Sequence, residues 1–314
     1  MKILVTGGCG YIGTVLIKKL LKLGHKVISV DKQWFGNYLP KNKNLTNLKL
    51  DIKDIQNISL KGVNTIIHLS SISNDPMAEI DKNLSWETSV LGSEILIRHA
   101  VKSKVKRIIY ASSGSVYGIK KEKKVNESLS LKPISLYNKV KMCTERLILS
   151  YNRSIEVFIL RPATVCGFSP RMRLDVAVNA LTFSALKDKT IKVFGGSQIR
   201  PNVHIDDMVD AYIFFLKSKK KLQGIYNLGF ENKSISSIAK LIKSKIKSNI
   251  KIYKNSNDPR SYRLSSSKIL KVGFRPKKTI SDAITELKYL FDEGIFKDNK
   301  KFHSVKWLKN EITK

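Results

Sequence analysis

The sequence predicts an α/β protein: a doubly wound parallel sheet followed by a smaller mixed α/β C-terminal lobe. Three observations carry this reading. The chain opens on a strand, a glycine turn, a helix and a second strand between Lys2 and Asp31. Apolar, β-branched runs then alternate with helix-period stretches as far as Gly167, as expected of parallel strands covered by helices on both faces. Beyond Gly167 the strands shorten and basic loops come between them. A chain of 314 residues is long enough for two lobes, and the boundaries read as 1–167 and 168–314, with some later segments returning to the first lobe.

The first strand, Lys2-Ile3-Leu4-Val5-Thr6, leads into Gly7-Gly8-Cys9-Gly10-Tyr11-Ile12-Gly13, a helical pattern from Thr14 to Leu23, and a strand from Lys26 to Val30 closing on Asp31. Gly7 lets the chain turn sharply, Gly10 lets backbone N–H groups approach a pyrophosphate, and Gly13 lets the helix pack closely on the strand. The helix N-terminus, with Tyr11 and Ile12 in the turn, then faces an anion. Asp31 stands where a carboxylate accepts both hydroxyls of an adenosine ribose and repels a 2′-phosphate, which indicates NAD before NADP. The adjacent Lys32 pulls the other way.

A polar loop runs from Trp34 to Asn47, and Leu48-Lys49-Leu50-Asp51-Ile52 reads as a short strand. Asp51 there either reaches an adenine amine or caps a helix starting near Asp54. Val63 to Leu69 is a buried central strand, and its His68 reads as a core histidine. A helix over Trp86 to Lys104 precedes a strand from Val105 to Ala111, which runs into Ser112-Ser113-Gly114-Ser115-Val116-Tyr117-Gly118. A helix over Tyr137 to Tyr151 and a strand from Ile155 to Leu160 follow, ending at Arg161-Pro162. In the second half a loop and helix span Arg171 to Lys187, Ile191 to Phe194 is a strand, and Arg200 to Asp207 leads into a helix to Lys217. Ile225 to Gly229 and Lys251 to Tyr253 read as strands, and Ser234 to Ser248, Ile280 to Phe291 and Val305 onward as helices.

Composition sets bounds on function. Hydrophobic residues make up 42% of the chain, an ordinary globular proportion. Glycines interrupt the apolar opening, no cleavage site follows it, and no uncharged stretch reaches the length of a membrane span. A soluble cytoplasmic protein is expected. Cys9, Cys143 and Cys166 lack metal spacing and suit a reducing compartment, so no metal site is expected. The net charge of +33 invites a nucleic-acid reading. The lysines are spread over almost every expected surface helix and loop, however, with no arginine–aromatic cluster beside them, so solvated faces are the better account and no nucleic-acid partner is expected.

Ligands of an open α/β sheet bind beyond the carboxyl ends of its strands, which directs attention to Gly7–Gly13, Ser112–Gly118 and Arg161–Gly167. Tyr137 and Lys141 are four residues apart and share one helix face. A nearby ammonium favours the phenolate, making Tyr137 a candidate general acid/base and Lys141 its tuner and a ribose donor. Ser113, at a strand end, offers a hydroxyl to the same substrate oxygen.

These residues together resemble the extended short-chain dehydrogenase/reductase superfamily, and within it the nucleotide-sugar epimerase/dehydratase family. The marks are Thr6 to Gly13, Asp31, Asp51-Ile52, Ile67-His68-Leu69-Ser70-Ser71, Ala111-Ser112-Ser113 with Val116-Tyr117-Gly118, Tyr137 with Lys141, Leu160-Arg161-Pro162, and Arg200-Pro201 with Val203-His204 and Asp206-Asp207. The resemblance implies a Rossmann domain holding NAD, with Leu69, Ser70, Ser71 and Pro162 joining the cofactor contacts. It also implies a C-terminal lobe closing over a nucleoside-diphosphate sugar, and a homodimer formed by the helices near Trp86–Lys104 and Tyr137–Tyr151. Ser115, Thr164, Asn74 and Arg171 would face the substrate. Arg200, Arg260 and Arg263 are either its diphosphate partners, arginine offering a planar fork of donors, or solvated surface charge.

Departures from the family pattern bear on the reaction. Dehydratases of this kind carry an Asp-Glu pair after the hydroxyl residue, where this chain has Gly114-Ser115, so 4,6-dehydration is disfavoured. Cys166 and His204 are explained by a strand end and by the Val-His-x-x-Asp segment. Ser89 and Thr164 stand where epimerases often place asparagines, which puts the usual glucose/galactose substrate in question. The expectation is an NAD-dependent nucleotide-sugar epimerase working through a transient 4-keto sugar. The alternatives are a nucleotide-sugar 4-dehydrogenase or 4-ketoreductase, and a non-catalytic NAD- or RNA-binding protein of the same fold.

Overall fold

A computed structural model describes residues 1–254 and 261–312. Arg260, one of the three arginines weighed as a diphosphate partner, lies outside the described residues. In chain order the strands are β1 (Lys2–Thr6), β2 (Lys26–Asp31), β3 (Leu45–Lys49), β4 (Val63–His68), β5 (Arg107–Ala111), β6 (Glu156–Pro162), β7 (Thr164–Cys166), β8 (Thr190–Phe194), β9 (Ile199–His204), β10 (Gly224–Leu228), β11 (Glu231–Ser234) and β12 (Asn249–Tyr253). The helices are α1 (Tyr11–Lys22), α2 (Asp75–Ala78), α3 (Lys82–Trp86), α4 (Gly92–Lys102), α5 (Leu136–Ser150), α6 (Ala177–Asp188), α7 (Ile205–Leu216), α8 (Ile235–Lys245), α9 (Ser267–Lys271), α10 (Ile280–Asp292) and α11 (Ser304–Ile312).

Seven strands form one sheet in the order β10-β6-β5-β4-β1-β2-β3, with every neighbouring pair parallel. Side chains alternate across it with the strand period of two. Ile3, Val5, Ile67, Ile109 and Phe158 share one core with Leu16, Ile17 and Leu20 of α1 and Met208, Tyr212 and Phe215 of α7. Leu4, Ile66, Ile108 and Val157 face the other core, against Leu96, Ile97 and Ala100 of α4 and Ile148 of α5. Burial on both faces is why these strands read as continuous apolar runs rather than as alternating ones. The doubly wound sheet expected from the sequence is therefore present.

The later chain divides its segments between two places. β10 returns to the edge of the large sheet, and α7 packs beside α1, where Lys19 pairs with Asp210. The remainder builds a three-stranded sheet (β11-β9-β7), a two-stranded sheet (β12-β8), and a separate core of Val178, Leu186, Ile191, Ile238, Ile242 and Ile284 from α6, β8, α8 and α10.

Several sequence expectations shift. The strand expected over Leu48–Ile52 lies instead at Leu45–Lys49, and Asp51 caps a 3-10 helix over Ile52–Asn57 by accepting the Lys53 N–H at 3.0 Å. The single helix expected over Trp86–Lys104 is α3 and α4 joined by a π turn, Glu87–Leu91. β9 was expected only as a lead-in to a helix, and its half-polar residues pair with β7 and β11.

Candidate active site

One cavity of about 520 Å³ opens at the carboxyl edge of the large sheet, within the size range of small-molecule sites. Gly7, Gly10, Tyr11, Ile12 and Gly13 of the glycine turn line it, with Asp31, Lys32, Asp51 and Ile52, and with Leu69, Ser70 and Ser71 just past the end of β4. Ser113, Ser115, Tyr137, Lys141, Pro162, Thr164, Asn74, Arg171 and Arg200 also line it. Arg263 does not belong to it. Residues alternate around the bridge between Val125 and Leu264, so Tyr262 and Leu264 turn inward and Arg263 is exposed. Tyr262, which the sequence did not single out, lines the cavity in its place.

The glycine turn has the geometry its residues suggested. Gly7 has φ +72°, the left-handed region, and a Cβ on Gly13 would stand 2.4 Å from the Gly7 carbonyl oxygen, so neither position admits a side chain without backbone movement. α1 begins immediately after, with no acidic residue in its first turn and no side-chain cap. Asp31 is held at the mouth of the turn, accepting the N–H groups of Cys9 at 3.0 Å and Gln33 at 2.6 Å. Burial pushes its carboxyl pKa up, against the lowering effect of those two bonds. Lys32 is engaged by Asp51 at 2.9 Å and lies 4.8 Å above the ring of Trp34, so its charge is already met within the protein. This turn, with an unfilled helix N-terminus and a carboxylate one strand away, fits a dinucleotide bearing a free ribose diol.

The side chains suited to chemistry stand further along the cavity. Tyr137 opens α5, and one turn later the Lys141 Nζ lies 5.9 Å from the centre of its ring and donates to the Ala111 carbonyl at 2.7 Å. Burial lowers the Lys141 pKa to about 7, opposed by the carboxylate of Glu145 one further turn along. Glu145 itself is buried under the site, where it pairs with Arg161 at 2.6 Å and accepts from Ser112, the neighbour of Ser113. Glu145 follows Tyr137 and Lys141 at a spacing of four, the signal in the sequence that sets it on the same helix face. The Ser113 Oγ lies 2.8 Å from the Ser115 Oγ, which donates to the Asn138 Oδ1 at 2.5 Å. Ser115 thus lines the cavity and also tethers Ser113.

Asn74 lines the cavity, but its side chain holds the protein together. Its Oδ1 accepts from the Met77 N–H at 2.9 Å to cap α2, and its Nδ2 donates to Asp175 at 2.6 Å. Asp175 also pairs with Arg173 and accepts from Ser304 at the start of α11. The loop 168–176 is thereby joined to α2 and α11. The hydroxyl of Tyr11 donates to the Gly167 carbonyl at 2.7 Å and fastens the glycine turn to the same loop. Ser89 turns its hydroxyl to Ser71 at 3.1 Å, within the π turn. His68 is fully buried between Thr6 and Ser93, and burial lowers its pKa to about 3. Cys9 and Cys166 are buried free thiols, that of Cys9 pushed up to about 12 by burial, so neither has the character of a nucleophile.

A seven-stranded parallel sheet in this order, with a glycine turn under its central crevice and a Tyr-x-x-x-Lys helix beside it, defines a Rossmann-type dinucleotide enzyme. The sequence model of the NAD dependent epimerase/dehydratase family matches residues 3–229, and the chain belongs to that family: it is an NAD-dependent enzyme of the epimerase/dehydratase class. Among curated relatives, an uncharacterised UDP-glucose epimerase of Bacillus subtilis (strain 168) is 32% identical over 268 residues, covering 77% of this chain and 81% of that protein. The UDP-glucose 4-epimerase of Lactobacillus helveticus is 26% identical over 252 residues, covering 73% and 76%. Among solved structures, the UDP-glucose 4-epimerase of Thermotoga maritima with UDP-glucose superposes with a TM-score of 0.86 at 26% identity, covering 94% of this chain and 100% of that one.

Proposed function

We propose that the protein is a nucleotide-sugar epimerase that oxidises C4 of a nucleoside-diphosphate sugar to a transient ketone and reduces it from the opposite face. The observation that carries this reading is the convergence of Tyr137, Lys141 and Ser113 on one cavity with the glycine turn and Asp31. The glycine turn, Asp31 and Lys141 would hold NAD there, and it would supply a reversible hydride acceptor for the sugar carbon. Tyr137 takes the hydroxyl proton of the sugar as the ketone forms and gives it back on reduction. Lys141 stabilises the phenolate by its charge and, with the ribose hydroxyls as further acceptors, orients the cofactor. Ser113 donates to the sugar oxygen throughout. Gly114 and Ser115 offer no group able to remove a C5 proton, which supports epimerisation over dehydration. The relatives whose names specify UDP-glucose or UDP-arabinose support a UDP-sugar as substrate.

The test is incubation of the purified protein with a panel of UDP-, GDP- and CDP-sugars. An isomerised sugar with no net change in nicotinamide absorbance is the expected result. Net accumulation of NADH would instead identify a 4-dehydrogenase, and no conversion of any sugar would overturn the reading.

A further inference from the structure

Arg171 is buried, with 3% of its surface exposed, yet it has no carboxylate partner among the described residues. Its Nη1 donates to the Met172 carbonyl at 2.9 Å and its Nη2 to the Ser304 hydroxyl at 3.1 Å, leaving part of a five-donor fork unengaged on the cavity side. The nearest carboxylate on its own loop, Asp175, already accepts from Arg173, Asn74 and Ser304. The guanidinium lies over Phe35, its Cζ 3.9 Å from the centre of the ring, which helps to hold it in place. A buried cation held in this way is stable when an anion completes it.

The neighbours of Arg171 indicate where that anion lies. Phe35 follows β2, the strand that ends at Asp31, and Asp31 and Tyr38 are the acidic groups that act on the Arg171 charge from that side. Arg171 therefore lines the cavity with Phe35, on the side of the loop that follows β2 and Asp31.

We propose that Arg171 is a cofactor-binding residue: its guanidinium takes a diphosphate oxygen of the dinucleotide from above, while the first turn of α1 takes the diphosphate from below. This reassigns a residue that the sequence alone put on the substrate side. It rests on the family's NAD and is independent of the epimerase reading. The arrangement also makes the cover part of the binding site. Phe35 and Ser304 set the guanidinium, and the Trp307 indole N–H donates to the Trp34 carbonyl at 2.7 Å, so α11 and the loop after β2 close over the bound cofactor together.

The test reads NAD retention rather than turnover. Protein purified with its cofactor is desalted, and released NAD is followed over time for wild type, Arg171→Met and Arg171→Lys. Arg171→Met keeps the volume over Phe35 and should release NAD about tenfold or more faster, the scale of one charge-assisted hydrogen bond. Arg171→Lys keeps the charge and should fall between the two. Calorimetric titration of the same proteins with UDP reports the substrate-side diphosphate, and its Kd should move less than twofold. Equal release by the Met and Lys variants would make the role one of packing and overturn the proposal. So would a tenfold weaker UDP affinity with NAD retention unchanged, which would return Arg171 to the substrate. Because turnover is not measured, a failed sugar panel leaves this result standing.

Discussion

Two side chains allow separate questions about the site. Tyr137→Phe removes only the ionisable oxygen, so turnover should fall by at least about 100-fold while NAD remains bound at the wild-type ratio. Cofactor content by denaturation and chromatography, alongside sugar conversion, checks this, and retained activity would remove Tyr137 from the base role. Asp31→Ala should raise the NADP/NAD affinity ratio, because the carboxylate that would repel a 2′-phosphate is gone. The structure adds a second effect: Asp31 also accepts the N–H groups of Cys9 and Gln33, so NAD affinity itself should weaken as the turn loosens. Titration with both dinucleotides separates the two, and an unchanged ratio would contradict the ribose contact. Lys32 is engaged by Asp51 at 2.9 Å, an exposed pair that competes only weakly with a 2′-phosphate.

Between elements, the Asp175 carboxylate ties the loop 168–176 to α2 and α11. Burial raises the pKa of Asp175, but the charge of Arg173 and the bonds from Arg173 and Asn74 outweigh it and hold the carboxyl at about 2 against an ordinary 3.8. The folded value lies below the unfolded one, so the stabilisation is fully present above about pH 4 and is lost as pH falls through 2. A shift of this size corresponds to about 2 kcal/mol. Asp175→Asn should destabilise the protein at pH 7 by about 3 kcal/mol, since it leaves the Arg173 charge buried and unpaired, and the difference from wild type should shrink towards pH 2. Urea unfolding at a series of pH values measures both. A pH-independent difference would mean that packing, not charge, is what Asp175 supplies.

For the whole molecule, the prediction concerns assembly. The stretch from α3 to α4 leaves Trp86 and Leu91 exposed at 39% and 44%, large apolar side chains on the helices that the family resemblance assigns to a subunit contact. We expect a homodimer in sedimentation velocity, and Leu91→Asp should convert it to a folded monomer with unchanged circular dichroism. A wild-type monomer at micromolar concentration would exclude that interface. Among the described residues no helix is long and apolar enough to cross a membrane.

Short-range physics made much of this protein legible from its residues. The strand, glycine turn, helix and acid of the opening, the parallel character of the buried runs, and the Tyr137–Lys141 helix face all follow from turn sterics and periodicity within a dozen or so neighbours, and of these the glycine turn, the acid and the Tyr137–Lys141 pair line the cavity. What the chain could not disclose locally depends on contacts between distant segments. The return of β10 to the large sheet depends on a vacant edge beside β6, a property of neither strand alone. The bonds of Asn74 to Met77 and Asp175, the outward turn of Arg263 and the position of Arg171 over Phe35 were all decided when loops with no periodicity of their own were packed against one another. A polar side chain in such a loop has no pattern to reveal whether it will meet a ligand or another part of the protein; only the folded arrangement of donors and acceptors settles which.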